Sequence, residues 1–215
     1  MTRILIAGIH EVFRGLKFES DAEIGQKRAF IKGLRELKMS FTAILPLEKW
    51  VEFENEIHRR SGLNANVYDI NGIRITDNTN WANRLCPVIK ANDKGINFIC
   101  AVANMNIGSQ TKLTGEPIIE ECDAGLIKIA APIFIGDEFI GTVGGCGLLI
   151  EEGEVDSFLI NKITGIDENK IESLSDDIKT ISKEEAQAIT DYTWNQINQF
   201  VRNYVNKQHS VSLTA

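Results

Sequence analysis

The chain has no apolar run of the roughly 18 to 20 residues that a membrane-spanning helix requires. It also lacks a surplus of positive charge. Lys+Arg total 23 against 30 Asp+Glu, for a net charge of -7, so nucleic acid and anionic membranes are unfavourable partners. Neither a G-x-G-x-x-G nor a Walker lysine motif occurs, which excludes the usual phosphate-cradling loops, including at Gly8 after the apolar opening Arg3 to Ile9. Histidine is scarce: His10, His58 and His209 all lie away from a candidate nucleophile, so no Ser-His-Asp or Cys-His order is supported. The C-x-x-C-H signature of covalent haem is absent too. Glu120, Glu121, Glu151 and Glu152 read as solvated faces, because nothing marks one of them for the burial that a catalytic acid needs. Enzyme activity is therefore not expected. The opening Met1 to Ala7 is too short for a secretory h-region, which points to a cytoplasmic protein.

The composition is that of an ordinary globular protein, with 43% hydrophobic and 25% charged residues in 215. Residues 1–44 read as an N-terminal strand-helix extension: a strand at Arg3 to Ile9, then a helix from the capping box Ser20-Asp21-Ala22-Glu23 to about Lys38. Residues 45–206 read as one domain. Leu45-Pro46-Leu47 starts a helix that Gly62 stops, with Leu47, Trp50, Val51 and Ile57 facing the core. Asn71-Gly72 between Ala65–Ile70 and Ile73–Thr76 is a hairpin signal. Trp81 to Gly115 breaks into short helices and loops, and strands follow at Pro117–Cys122, Leu126–Ile135 and Phe139–Ile150. A compact helix ends near Gly165, and Ile166–Ile181 is a polar connector. Ser182-Lys183-Glu184-Glu185 opens a terminal helix whose Trp194, Ile197, Val201 and Tyr204 form a seam, to be buried on its own domain or on a second copy in a homodimer. Residues 207–215 read as a tail. The order predicts an α+β fold, a mostly antiparallel sheet flanked by helices.

Four cysteines, Cys86, Cys100, Cys122 and Cys146, are separated by 14, 22 and 24 residues. In a chain large enough to have its own core and expected in the cytoplasm, disulfides are disfavoured. Two readings remain. The thiols are small buried hydrophobes, or they converge as ligands of one site. No C-x-x-C pair exists to build a local zinc knuckle, so a shared site must be assembled by the whole fold around a cavity, which suits a [4Fe–4S] cluster better than zinc. Gly144, Gly145 and Gly147 around Cys146 would let backbone approach a bulky group. Trp81 and Phe98 flank the thiol segment as core or as pocket lining, and Asp123 beside Cys122 reads as a turn residue or a ligand contact.

The stretch Cys122-Asp123-Ala124-Gly125-Leu126, then Ala131-Pro132-Ile133, then Gly141-Thr142-Val143-Gly144-Gly145, resembles the PocR-type sensory domain, a PAS-like ligand-sensing family. The likeness runs from about Leu45 to Val205 and includes the hairpin at Val67 to Thr76, Cys86 and Cys100. That family's pattern is C-H-A-G-L, a V-P-I-like strand and a G-G-Q ending. Here Asp123 replaces the usual histidine and Cys146 the usual glutamine, turning three family-type cysteines into four. The resemblance implies a sensor of small molecules such as diols or hydrocarbon derivatives. With the fourth thiol, three expectations stand: a stand-alone sensor holding a [4Fe–4S] cluster and reporting to a protein partner, a metal-free small-molecule sensor, or an iron–sulfur redox protein.

Overall fold

The protein is described by a computed structural model over residues 41–212, with side chains as far as Gln208. The strand and helix expected before Lys38 lie outside the described residues. Within them the order begins with α1 (Leu47–Ser61) and β1 (Asn64–Asp69), and continues with α2 (Leu85–Ala91). A helical turn at Asp93–Gly95 leads into a π-helical segment, Ile96–Ala101, and then α3 (Val102–Thr114). Next come β2 (Ile118–Glu121), β3 (Ile127–Ile135), β4 (Glu138–Cys146) and β5 (Leu149–Ile150). Helices α4 (Ser157–Thr164) and α5 (Glu168–Ser175), strand β6 (Thr180–Ile181) and helix α6 (Lys183–Ser212) complete it.

Four strands form an antiparallel sheet in the order β1-β4-β3-β2, and β5 pairs with β6 in parallel beside it. The α+β architecture with a mostly antiparallel sheet is as the sequence predicts. Alternation divides the sheet into two faces. Ala65, Val67, Val143, Ile129, Ala131 and Ile133 point into a buried core with Trp50, Phe53, Ile57 and Ile197. Asn64, Tyr68, Cys146 and Lys128 point the other way.

Helix α1 forms as its terminal signals dictate. Pro46 precedes it, and Gly62 closes it at φ 76, a left-handed position where glycine carries no Cβ penalty. Its buried face is Trp50, Phe53, Glu54 and Ile57, so Phe53 and Glu54 replace the predicted Leu47 and Val51 at the centre. The expected hairpin after β1 is reduced to a single bridge, Tyr68 to Arg74. Glu54 explains the reduction. Its carboxylate accepts from the Val67 N–H at 2.8 Å and from the Thr76 hydroxyl, occupying the strand edge that a second arm would pair. Burial raises the Glu54 pKa, which the bonds from Thr76 and Val67 oppose.

The run from Leu85 to Thr114 is more continuously helical than expected, and the anticipated strand to Ile150 breaks at Gly147 into β4 and β5. The connector Ile166–Ile181 contains α5 and β6. The capping box of α6 forms as predicted: the Glu185 N–H donates to Ser182 Oγ and the Ser182 N–H to Glu185, both at 3.0 Å. Trp194, Ile197, Val201 and Tyr204 pack on the core of their own domain, joined by Ala186, Ile189 and Phe200. Phe200 meets Trp50 and Phe53 edge to face at 6.0 and 5.2 Å. The helix continues through Ser212, past Lys207 where the sequence reading places a tail. Among the described residues no helix is long and apolar enough to cross a membrane.

Candidate functional site

All four cysteines line one cavity between the sheet and the helical run from Leu85 to Thr114. Each arrives on a different piece of the fold: Cys86 in the first turn of α2, Cys100 in the π-helical segment, Cys122 just past β2 and Cys146 at the end of β4. Apolar walls come from Ile89, Ile99, Ala103, Ala124 and Leu126. The space open to a water-sized sphere is about 40 Å³, enough for a few waters. All four thiols are half-buried and none is in a disulfide.

Local chemistry positions each sulfur. Asn83 ties three groups together: its Oδ1 accepts the Cys86 N–H at 2.7 Å, while its Nδ2 donates to the Gly147 carbonyl at 2.5 Å and approaches Cys86 Sγ at 3.4 Å. Gly147 sits at φ 107, and a Cβ there would lie 3.0 Å from Ala82, so glycine is required where β4 meets α2. Cys100 is carried by a π-helical segment, a rare arrangement that re-aims side chains at functional sites. At Cys122 the chain turns: the Cys122 N–H donates to the Leu126 carbonyl at 2.9 Å and the Gly125 N–H to the Cys122 carbonyl at 2.8 Å. The nearby Ala124 and Leu126 amides favour the charged form of its thiol, against burial.

Burial is the main influence on three of these thiols, and the neighbouring thiols reinforce it. Cys86 is held well above the usual range by burial and then by the charge of Cys146, against the hydrogen bond from Asn83. Cys100 is pushed up to about 11 by burial, although the Lys90 and Lys128 ammoniums draw it down. Burial also raises Cys122. Without a bound metal ion, the Cys86, Cys100 and Cys122 thiols are therefore neutral at neutral pH. Tyr68, on the same wall, is raised to about 12 by burial and the Cys146 charge.

The predicted lining is only partly as expected. Gly147 lines the cavity, whereas Gly144 and Gly145 do not: a Cβ on Gly144 would meet the Ile129 backbone, and one on Gly145 would lie 2.8 Å from Leu63 Cβ. Those two glycines permit close strand and core packing. Trp81 and Phe98 are exposed at 40% and 59% and stand outside the cavity, with Lys90 Nζ 5.2 Å from the Trp81 ring. Asp123 is exposed and lines a neighbouring groove with Glu120 and Gln110. Missed by the sequence reading were Asn64, Tyr68, Lys90, Asn104 and Lys128, which supply the polar part of the lining. Asn83, three residues before Cys86, carried a legible turn signal that was overlooked.

Among the described residues no group of three or more His, Cys, Asp or Glu side chains is arranged to hold a metal ion as it stands. No curated protein and no solved structure matches the chain. Residues 43–204 match the family described as the sensory domain found in PocR, a span that includes all four cysteines and both faces of the sheet. The chain therefore belongs to the PocR sensory-domain family.

Proposed function

We propose that this sensory domain reads the state of a [4Fe–4S] cluster bound through Cys86, Cys100, Cys122 and Cys146. The observation that carries the reading is convergence: four cysteines dispersed in sequence, on four separate pieces of the fold, line a single cavity. Buried cysteines serving only as small hydrophobes have no reason to gather on one wall, whereas four thiolates are the complete ligand set of such a cluster. The donor chemistry fits. Neutral thiols gathered in one cavity would ionise on binding iron, because a metal cation outweighs the burial, and the mutual repulsion behind it, that keep them protonated. The lining as it stands leaves space for a few waters and is not preset to hold a metal ion, so assembly would need it to rearrange around the cluster. Zinc is the alternative metal, disfavoured by the lack of paired local ligands.

When bound, the cluster would supply a redox-active and oxygen-sensitive group. The chain's own residues transmit its state: β3 places Lys128 on the cavity wall and Ile127 and Ile129 in the core on which α6 packs. A shift of the β3 and β4 ends would reach α6, whose exposed surface is the proposed contact for a protein partner or a second copy. Protein purified without oxygen should be brown, absorb broadly near 400 nm, and contain about four irons and four sulfides per chain. Colourless, iron-free protein would overturn the reading. Cys146→Gln, which restores the family pattern, should lose most of the iron.

A second reading has its own support. The apolar walls and the absence of preset metal geometry suit a small organic ligand bound without metal. It predicts a colourless protein whose thermal stability rises on adding the right ligand.

A further inference from the structure

Besides the thiols, the polar side chains lining the cavity are Asn64, Tyr68, Lys90, Asn104 and Lys128, two of them cationic and none acidic. Its centre is a row across three strands. Asn64 of β1 pairs in register with Cys146 of β4, which pairs in turn with Lys128 of β3, so the three side chains stand side by side on one face. Asn64 is 2% exposed, and its Oδ1 accepts the Asn80 N–H at 3.2 Å. That bond sets the amide's orientation and leaves Nδ2 buried with no partner. An orphaned buried donor is costly, and its presence on a cavity wall calls for an acceptor from the occupant.

Charge points the same way. Lys128 is 6% exposed; its ammonium donates to Asn104 Oδ1 and lies 5.4 Å from the Tyr68 ring. Lys90 lines the cavity from α2, and no aspartate or glutamate does. Glu120 is paired with Lys128 across β2 and β3, yet its carboxylate accepts from Gln110 at 2.7 Å and lines the groove outside. Among the described residues neither lysine is in an ion pair with a carboxylate. Both lysines thus line the cavity outside any ion pair among the described residues, Lys128 buried and Lys90 half-buried with its Nζ 5.2 Å from the Trp81 ring, in a protein of net charge -7. A buried charge such as that of Lys128 calls for a counter-charge, which an anionic occupant of the cavity would supply.

We infer that the cavity is built for an anionic occupant, with Asn64 Nδ2 donating to it and Lys90 and Lys128 balancing its charge. The inference deepens the sensor reading and rests on the same cavity being the site. A neutral diol would satisfy Asn64 but leave both ammoniums uncompensated. Two sources of this chemistry are possible: a tetrathiolate cluster, which together with its four thiolates carries net negative charge and whose sulfides accept N–H bonds, or a free organic anion such as a carboxylate.

Two reagents of similar size separate charge preference from cluster binding. Metal-free protein is treated with iodoacetate, an anion, or iodoacetamide, which is neutral, and the alkylation rate at each cysteine is followed by mass spectrometry. The iodoacetate-to-iodoacetamide ratio should be higher in the folded protein than in the same chain in denaturant. In the Lys90→Met/Lys128→Met double variant it should fall about tenfold, a modest share of what two nearby charges exert at an effective dielectric of about 20. Asn64→Asp, which keeps the side-chain shape and the Asn80 contact, should lower the ratio as well, whereas Lys162→Met on exposed α4 should not. A ratio that equals the denatured value, or that ignores the lysines and Asn64, overturns the inference even if the wild type is brown. Conversely, colourless protein with the expected ratio sinks the cluster and leaves the anion site, with a free organic anion as occupant. Where a cluster is present, its midpoint potential should move negative in the double variant, because the reduced and more negative state loses its counter-charges; an unmoved potential counts against the assignment.

Discussion

The two faces of the central sheet are made from alternate residues of the same strands and have opposite characters. On the α6 side, Ile129, Ala131, Ile133, Val67 and Val143 close against Trp50, Phe53 and Ile197 in an apolar core. On the other side, Asn64, Cys146, Lys128 and Tyr68 face a small cavity, with thiols, an amide Nδ2 that has no partner and a lysine outside any ion pair among the described residues. One face is arranged as hydrophobic burial alone would arrange it. The other buries polar groups, among which Asn64 Nδ2 has no protein partner, a pattern expected of binding sites, which are stabilised by their occupant and by the rest of the fold.

If that division is right, substitutions on the two faces should have opposite consequences. The largest contrast should come from the thiols. Cys122→Ser should take anaerobically prepared protein from about four irons per chain to essentially none, while shifting the unfolding free energy of the metal-free form by under about 1 kcal/mol. Iron analysis and urea denaturation together test both halves; equal iron in the variant would remove Cys122 from the site. Next in size, Ile129→Ala on the core face should destabilise by about 2 to 5 kcal/mol, and Trp50→Ala by about 3 to 5, with no direct effect on the cavity thiols. A core substitution no more costly than Lys128→Met would erase the distinction between the faces.

A smaller effect concerns reactivity. With its thiol raised from the ordinary value of 9.0 to about 11, Cys100 should react with iodoacetamide about a hundredfold more slowly than an unperturbed cysteine near pH 8, provided no metal is present. Alkylation at the free-cysteine rate would mean that the buried environment is wrong. The smallest effect belongs to Glu54, at the edge of the core face. Its folded pKa is raised, so the neutral form is favoured on folding, and its contribution is full below the unfolded value near 4.5 and is lost as pH rises through the folded pKa. Glu54→Gln should flatten that part of the stability profile above about pH 4.5, as thermal unfolding over a pH series would report. An unchanged profile would mean that the hydrogen bonds from Thr76 and Val67 fully offset burial.

Much of the fold was legible because its signals are local. Pro46 and Gly62 bracket α1, and Ser182 and Glu185 cap α6. The Asn71-Gly72 hairpin misled for the opposite reason: a turn signal says nothing of a carboxylate seventeen residues earlier in the chain, and Glu54 takes the edge that the second arm would have used. Gly144 and Gly145 were open to the same error. A glycine run reports close approach without saying to what, and here the neighbours are the Ile129 backbone and Leu63.

By itself the sequence determined the α+β order, the capped helices, the family and the identity of the four cysteines, since each depends on short-range periodicity, turn chemistry or a motif in consecutive residues. Whether those cysteines meet was decided only by tertiary structure. The same holds for the Asn64–Cys146–Lys128 row, because antiparallel register places residues from distant parts of the chain side by side on one face, and no local pattern encodes which strand lies next to which.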